Sequence, residues 1–186
     1  MNDRPTKIQK GDLIFSRSNT CVSKLIRFKT LSNWSHVGIC IGHSSNKILQ
    51  KLIKSYGYDL NDANDFLILA AEFKGVTITT FSSWFEKYEA LACLKPSLKN
   101  KSNVDVIINI AITELNKKYD FLGLLDFVTF NKYQNSKRWF CSELISYIFK
   151  TAGEDLFNGR KDTAFTSPAD IYENPKLKLI WHYDNG

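Results

Sequence analysis

The stretch Arg138 to Phe149, RWFCSELISYIF, decides how the rest of this chain is read. Taken alone it is an apolar helix in which Cys141 shares a face with Leu144, Ile145 and Ile148. A free cysteine in that setting usually behaves as a small buried hydrophobe. Its place in the first helical turn supports a second reading. Unpaired N–H groups and the positive end of the helix dipole stabilise a thiolate there and lower its pKa. The helix leaves the choice between a packing thiol and a nucleophile open, and a nucleophile needs a base.

Three histidines are available. His182 lies near the C-terminus and His43 in a polar turn. His36 opens SHVGICIG (35–42), a β-rich run in which Val37, Ile39 and Ile41 point to one face. His36 shares the other face with Gly38, Cys40 and Gly42, which is almost stripped of bulk, so another element or a substrate can approach it closely. A histidine hydrogen-bonded at a strand entry fits equally well. An imidazole base works best when a third group holds its tautomer. Glu72, after the apolar run LILAA, is the candidate: a carboxylate drawn out of water seeks a partner. That partner is either His36 on a neighbouring strand or Lys74 at the solvent end.

Composition narrows the classes. With 186 residues, 44% hydrophobic and 13% aromatic, the chain has material for one core-bearing domain over residues 1–186. The net charge is +6, but the lysines are scattered among Asn and Ser and no nucleic-acid motif accompanies them. No apolar run reaches the ~18 residues of a membrane helix. The polar N-terminus MNDRPTKIQKGD lacks a signal core, so a cytoplasmic protein is expected, with peripheral membrane contact left open. Cysteines 21, 40, 93 and 141 show no paired spacing and are expected as free thiols. Cys40 and His43, three apart on a strand, point to opposite faces, so no metal site is expected.

Alternation and turn signals predict strands at GDLIFSR (11–17), SHVGICIG, LILAAEF (67–73), TITT (77–80), YEALACLKP (88–96) and LKLIWHY (177–183). NKILQKLI is expected to pair with SHVGICIG across the GHSSN turn. Helices are predicted at NTCVSKLIRFKT (19–30), SSWFEKY and VDVIINIAITELNKK, the last with Val106, Ile107, Ile110, Ala111 and Leu115 at helical spacing. Further helices are predicted at DFLGLLDF, WFCSELISYIFKTAG and SPADIYENP, with Ser167 as cap and Pro168 in the first turn. The pattern is α+β, with helices against one antiparallel sheet.

In order along the chain, GDLIF, WSHVGICIG, the Glu of LAAEFKGV, YDFLGLLDF and FCSELISYIF resemble the permuted branch of the NlpC-type papain-like cysteine amidases, the YaeF/YiiX-type family. SHVGI and CSELI are the most specific parts, and the resemblance runs from about Gly11 to Pro175. It implies a circularly permuted papain-like fold, an antiparallel sheet or partial barrel packed on helices. It also implies Cys141 as nucleophile, His36 as base and Glu72 as orienting residue. Tyr119 falls where the family tends to place a tyrosine near the active site, either as an oxyanion donor or as an aromatic lock between helices. Turn and cap roles suffice for Asp12, Ser35, Ser167 and Pro168.

The expected activity is cysteine-nucleophile hydrolysis of an amide or ester in a small-molecule, peptide or lipid-derived substrate, needing no metal or organic cofactor. The irregular segment KSYGYDLNDAND leaves the pocket rim, and so the substrate, open. Two alternatives stand beside it. One is a lipid acyl hydrolase or acyltransferase, with FLGLLDFVTF lining an acyl groove. The other is a catalytically silent binding module, for which Cys141→Ala would preserve the biological effect.

Overall fold

The structure is a computed structural model that describes residues 8–119, 138–163 and 166–185. Its frame is an open six-stranded antiparallel sheet in the order β4-β3-β2-β1-β5-β8. The strands are β1 (Leu13–Arg17), β2 (His36–His43), β3 (Phe66–Glu72), β4 (Gly75–Thr80), β5 (Ala90–Pro96) and β8 (Leu177–Asp184). β1 lies between β2 and β5, with Ile14 opposite both Gly38 and Cys93. Around the sheet lie α1 (Cys21–Thr30), α2 (Lys47–Lys54), α3 (Phe81–Lys87), α4 (Asn103–Thr113), α5 (Cys141–Thr151) and α6 (Pro168–Tyr172).

Both faces of the sheet are covered, which is why β3 reads as an unbroken apolar run rather than an alternating one. On one face Val37, Ile39 and Ile41 of β2 join Ile107 and Ala111 of α4 and Leu144, Ile145 and Ile148 of α5. On the other, Ile14, Cys40, Ile68, Ala70, Leu91 and Cys93 pack under Phe81, Trp84 and Phe85 of α3. The expected split of β2 therefore has a physical cause: its bulky side faces α4 and α5, and its lean side receives α3.

Gly38 shows how tightly that lean side is used. A Cβ there would meet Ile68 Cγ2 at 2.8 Å and Trp84 Cη2 at 2.9 Å. Gly38→Ala should therefore destabilise the fold by about 1–3 kcal/mol through overpacking. Urea unfolding measures it, and a midpoint unchanged from wild type would contradict the close approach.

One expectation needs correction, and one helix face is chosen only by packing. NKILQKLI is not a strand beside β2 but helix α2. The Asn46 side chain accepts the N–H groups of Ile48 and Leu49, a helix cap placed where a turn was expected. Leu49 and Ile53, four apart, are then buried together. In α4 the inward stripe is Ile107, Ile108, Ala111 and Ile112, whereas Val106 is exposed. Apolar residues occupy so much of that helix that the sequence alone does not choose the stripe.

The cap of SPADIYENP is as expected: the Ser167 hydroxyl accepts the Asp170 N–H, with Pro168 at the first turn. DFLGLLDF lies outside the described residues. On either side of it, β6 (Lys118–Tyr119) pairs in parallel with β7 (Arg138–Trp139), which runs directly into α5.

Candidate active site

Helix α5 begins at Cys141, after Phe140 in extended conformation at the N-cap. A phenylalanine has no side-chain oxygen with which to occupy the first helical amides. Glu143 reaches back to the Phe140 N–H at 3.5 Å. The backbone N–H groups of Val37, Ser142 and Cys141 itself are directed at the Cys141 sulfur. A donor-rich pocket thus surrounds a buried thiol, 6% exposed, at the point where α5 packs against the start of β2.

His36 is the first residue of β2, on the lean side. Its ring stacks on Trp84 with centroids 5.2 Å apart and lies 6.0 Å from the ring of Tyr88. Its Nε2 is buried without a hydrogen bond and lies 4.0 Å from Glu72 Oε1. Glu72 ends β3 and accepts from Lys87 Nζ at 2.8 and 3.0 Å and from the Tyr88 hydroxyl at 3.4 Å. A cleft of about 340 Å³ is lined by Cys141, His36, Glu72, Lys87 and Tyr88, with Val22, Ile26, Ala71 and Phe73 as an apolar wall. Three side chains far apart in sequence, from α5, β2 and β3, open into one space.

The sequence profile of the permuted papain-like amidase enzymes, the YaeF/YiiX or C92 family, matches residues 7–181. The chain belongs to this family. A solved structure described as the metalloprotein YiiX from Escherichia coli O157:H7 shares the fold, with a TM-score of 0.66 at 18% identity. The alignment covers 95% of this chain and 98% of that one. Among curated protein sequences, none matches this one. Among the described residues no group of three or more His, Cys, Asp or Glu gathers as metal ligands would. No helix among the described residues is long and apolar enough to cross a membrane.

Of the two partners the sequence offers the carboxylate, His36 is the one it faces. Glu72 lies between His36 and Lys87, and Lys87 rather than Lys74 neutralises it. Lys87 and Tyr88 carried no local signal in WFEKYEA. They reach Glu72 because α3 follows the β3–β4 hairpin and folds back over the lean face. For Tyr119, the backbone lies in β6, opposite Trp139 and two residues from Cys141 on the paired strand, and its side chain lies outside the described residues.

The resting protonation of this C92 cleft also departs from expectation. Burial pushes the Cys141 thiol up to about 11, overriding the N–H groups of Val37, Ser142 and Cys141 that favour the thiolate. Burial pulls the His36 imidazole down to about 4, with Glu72 opposing and Lys87 reinforcing. Both shifts favour the neutral forms, a thiol and an uncharged ring lining one cleft, over the thiolate that a helix N-terminus suggests.

These shifts bear on stability. His36 titrates at about 4 in the fold against 6.5 outside it, so the unfolded chain binds the extra proton and stability falls as pH drops from 6.5 to 4. Asp12 is raised by burial to about 6 from 3.8, so there the folded form binds the proton and stability rises as pH drops through 6 to 3.8. Each offset is worth about 3 kcal/mol, and they oppose one another. Urea unfolding of Asp12→Asn, relative to wild type, should show an added loss of about 3 kcal/mol between pH 6.5 and 4. His36→Gln should show the reverse slope. Parallel curves for all three proteins would contradict both shifts.

Proposed function

We propose that the chain, as a single hydrolase domain, cleaves an amide or ester bond with Cys141 as nucleophile, His36 as general base and Glu72 as orienting carboxylate. The reading rests on one observation: all three side chains line the same cleft. The Nε2 of His36 faces Glu72, which leaves Nδ1 to take the thiol proton as the sulfur attacks the substrate carbonyl. The imidazolium formed is steadied by Glu72 in a site that otherwise penalises charge. The oxyanion accepts from amides at the start of α5. His36 then protonates the leaving group, and water activated by the same ring releases the acyl group from sulfur.

The apolar wall of Val22, Ile26, Ala71 and Phe73 favours an apolar acyl group in the substrate. It supports a lipid-derived amide or ester as a second reading on the same machinery, with acyl transfer in place of hydrolysis when an amine or alcohol replaces water. FLGLLDFVTF, the expected acyl groove, lies outside the described residues, so the wall supplied by α1, β3 and the β3–β4 turn carries this reading instead.

Incubation with p-nitrophenyl esters and N-acyl-p-nitroanilides of increasing chain length tests both readings. Release of nitrophenol or nitroaniline together with a thioester on the Cys141 peptide by mass spectrometry is the expected result. Rates that climb with chain length favour the lipid reading. Turnover without any Cys141 adduct, undiminished in Cys141→Ala, removes both.

A further inference from the structure

Helix α1 holds the body of the protein with Ser23 and Ile26, yet it turns a second apolar face outward. Cys21, Leu25 and Phe28, at i, i+4 and i+7, form one stripe on the solvent side, with Leu25 45% and Phe28 80% exposed. Lys24 and Lys29 flank that stripe on either side. Leu31 follows, 90% exposed and in left-handed backbone at φ 50°, a cap position that glycine occupies with less strain. Folding gains nothing from a leucine there. Around α1, from Ser18 to Ser35, the chain has Lys24, Arg27 and Lys29 and not one Asp or Glu. Beside α1, the β3–β4 turn presents Phe73, 71% exposed, followed by Lys74.

We propose that α1 and the Phe73–Lys74 turn dock on the surface of an anionic bilayer. Leu25, Phe28 and Leu31 enter the boundary between headgroups and acyl chains, and the lysines contact lipid phosphates. Apolar residues flanked by cations on an amphipathic helix are suited to that boundary. A second copy of the chain fits less well, because self-association would set Lys24 and Lys29 against their own counterparts. Val22 and Phe73, exposed beside this stripe, also line the cleft of Cys141, so docking turns the cleft mouth toward the lipid.

The test is sedimentation of the full chain with vesicles of phosphatidylcholine alone or mixed equally with phosphatidylglycerol, at low and high salt. Wild type should partition onto the anionic vesicles at low salt, with salt and loss of phosphatidylglycerol both weakening it. Leu25→Ser with Phe28→Ser should reduce partitioning about tenfold or more. Leu31→Gly should also reduce it while the melting temperature stays at or above wild type, which separates docking from folding. Ile48→Ser, at a site 82% exposed on α2 beyond the other end of β2, should change nothing. Four outcomes overturn the proposal: no partitioning, partitioning indifferent to lipid charge, equal loss in Ile48→Ser, or a stable dimer that dissociates in Leu25→Ser/Phe28→Ser. Binding is read without turnover, so this result stands apart from the role of Cys141.

Discussion

Cys141→Ala should reduce turnover of any acyl substrate at least about a thousandfold while leaving the protein folded. The size follows from the chemistry. Without sulfur no thioester forms, and only binding and the amides at the start of α5 remain to accelerate attack by water. Stability should change little, by about 1 kcal/mol, since alanine keeps the apolar contact at the helix start and loses only one buried sulfur. The N–H groups of Val37, Ser142 and Cys141 lose their acceptor, which limits how neutral the change can be. Product release and the intact mass of the protein after incubation are the two readouts. Unchanged turnover with a native melting curve would return Cys141 to the status of a packing residue.

His36→Ala should cost about a thousandfold in kcat/KM near neutrality, and its signature lies in the pH profile. In the proposed mechanism the neutral ring is the competent base, so activity should be level through neutral pH and fall on the acid side near 4, where the ring takes a proton. Without the ring, only thiol that is already ionised can attack. With the thiol held at about 11, the rate should climb about tenfold per pH unit through the neutral range and approach wild type in alkali. Iodoacetamide should show the same contrast: at pH 6 the resting thiol should react no faster than a model thiol. Fast alkylation at pH 6 that is lost in His36→Ala would indicate a preformed ion pair and overturn the neutral-pair description. Lys87→Met should move the acid limb upward, because that cation disfavours protonation of the ring.

Much of the frame is legible in the sequence. The alternation in SHVGICIG placed His36 opposite Val37 and Ile39, the run LILAAE ended in a half-buried carboxylate, and SPADIYENP carried its own cap. Each is a local property, set by strand pleat, side-chain volume or a hydroxyl three residues from an amide. NKILQKLI is ambiguous in the sequence because Asn46 serves a turn and a helix cap equally well, and the choice comes from Leu49 and Ile53 finding the core. The α4 stripe is open in the sequence for a related reason: with apolar residues on most sides, the helix turns inward whichever face α5 and the sheet accept.

What the sequence determined by itself was the set of elements and the order of motifs, since backbone preference and residue spacing act over a few positions. Tertiary structure decided the charge states of Cys141 and His36, the pairing of Glu72 with Lys87, the arrival of Tyr88, and which apolar residues of α1 stay in water. Those depend on how far each group is removed from solvent and on what faces it across the sheet. Burial of that kind is produced jointly by segments tens of residues apart, so it exists only once they have packed.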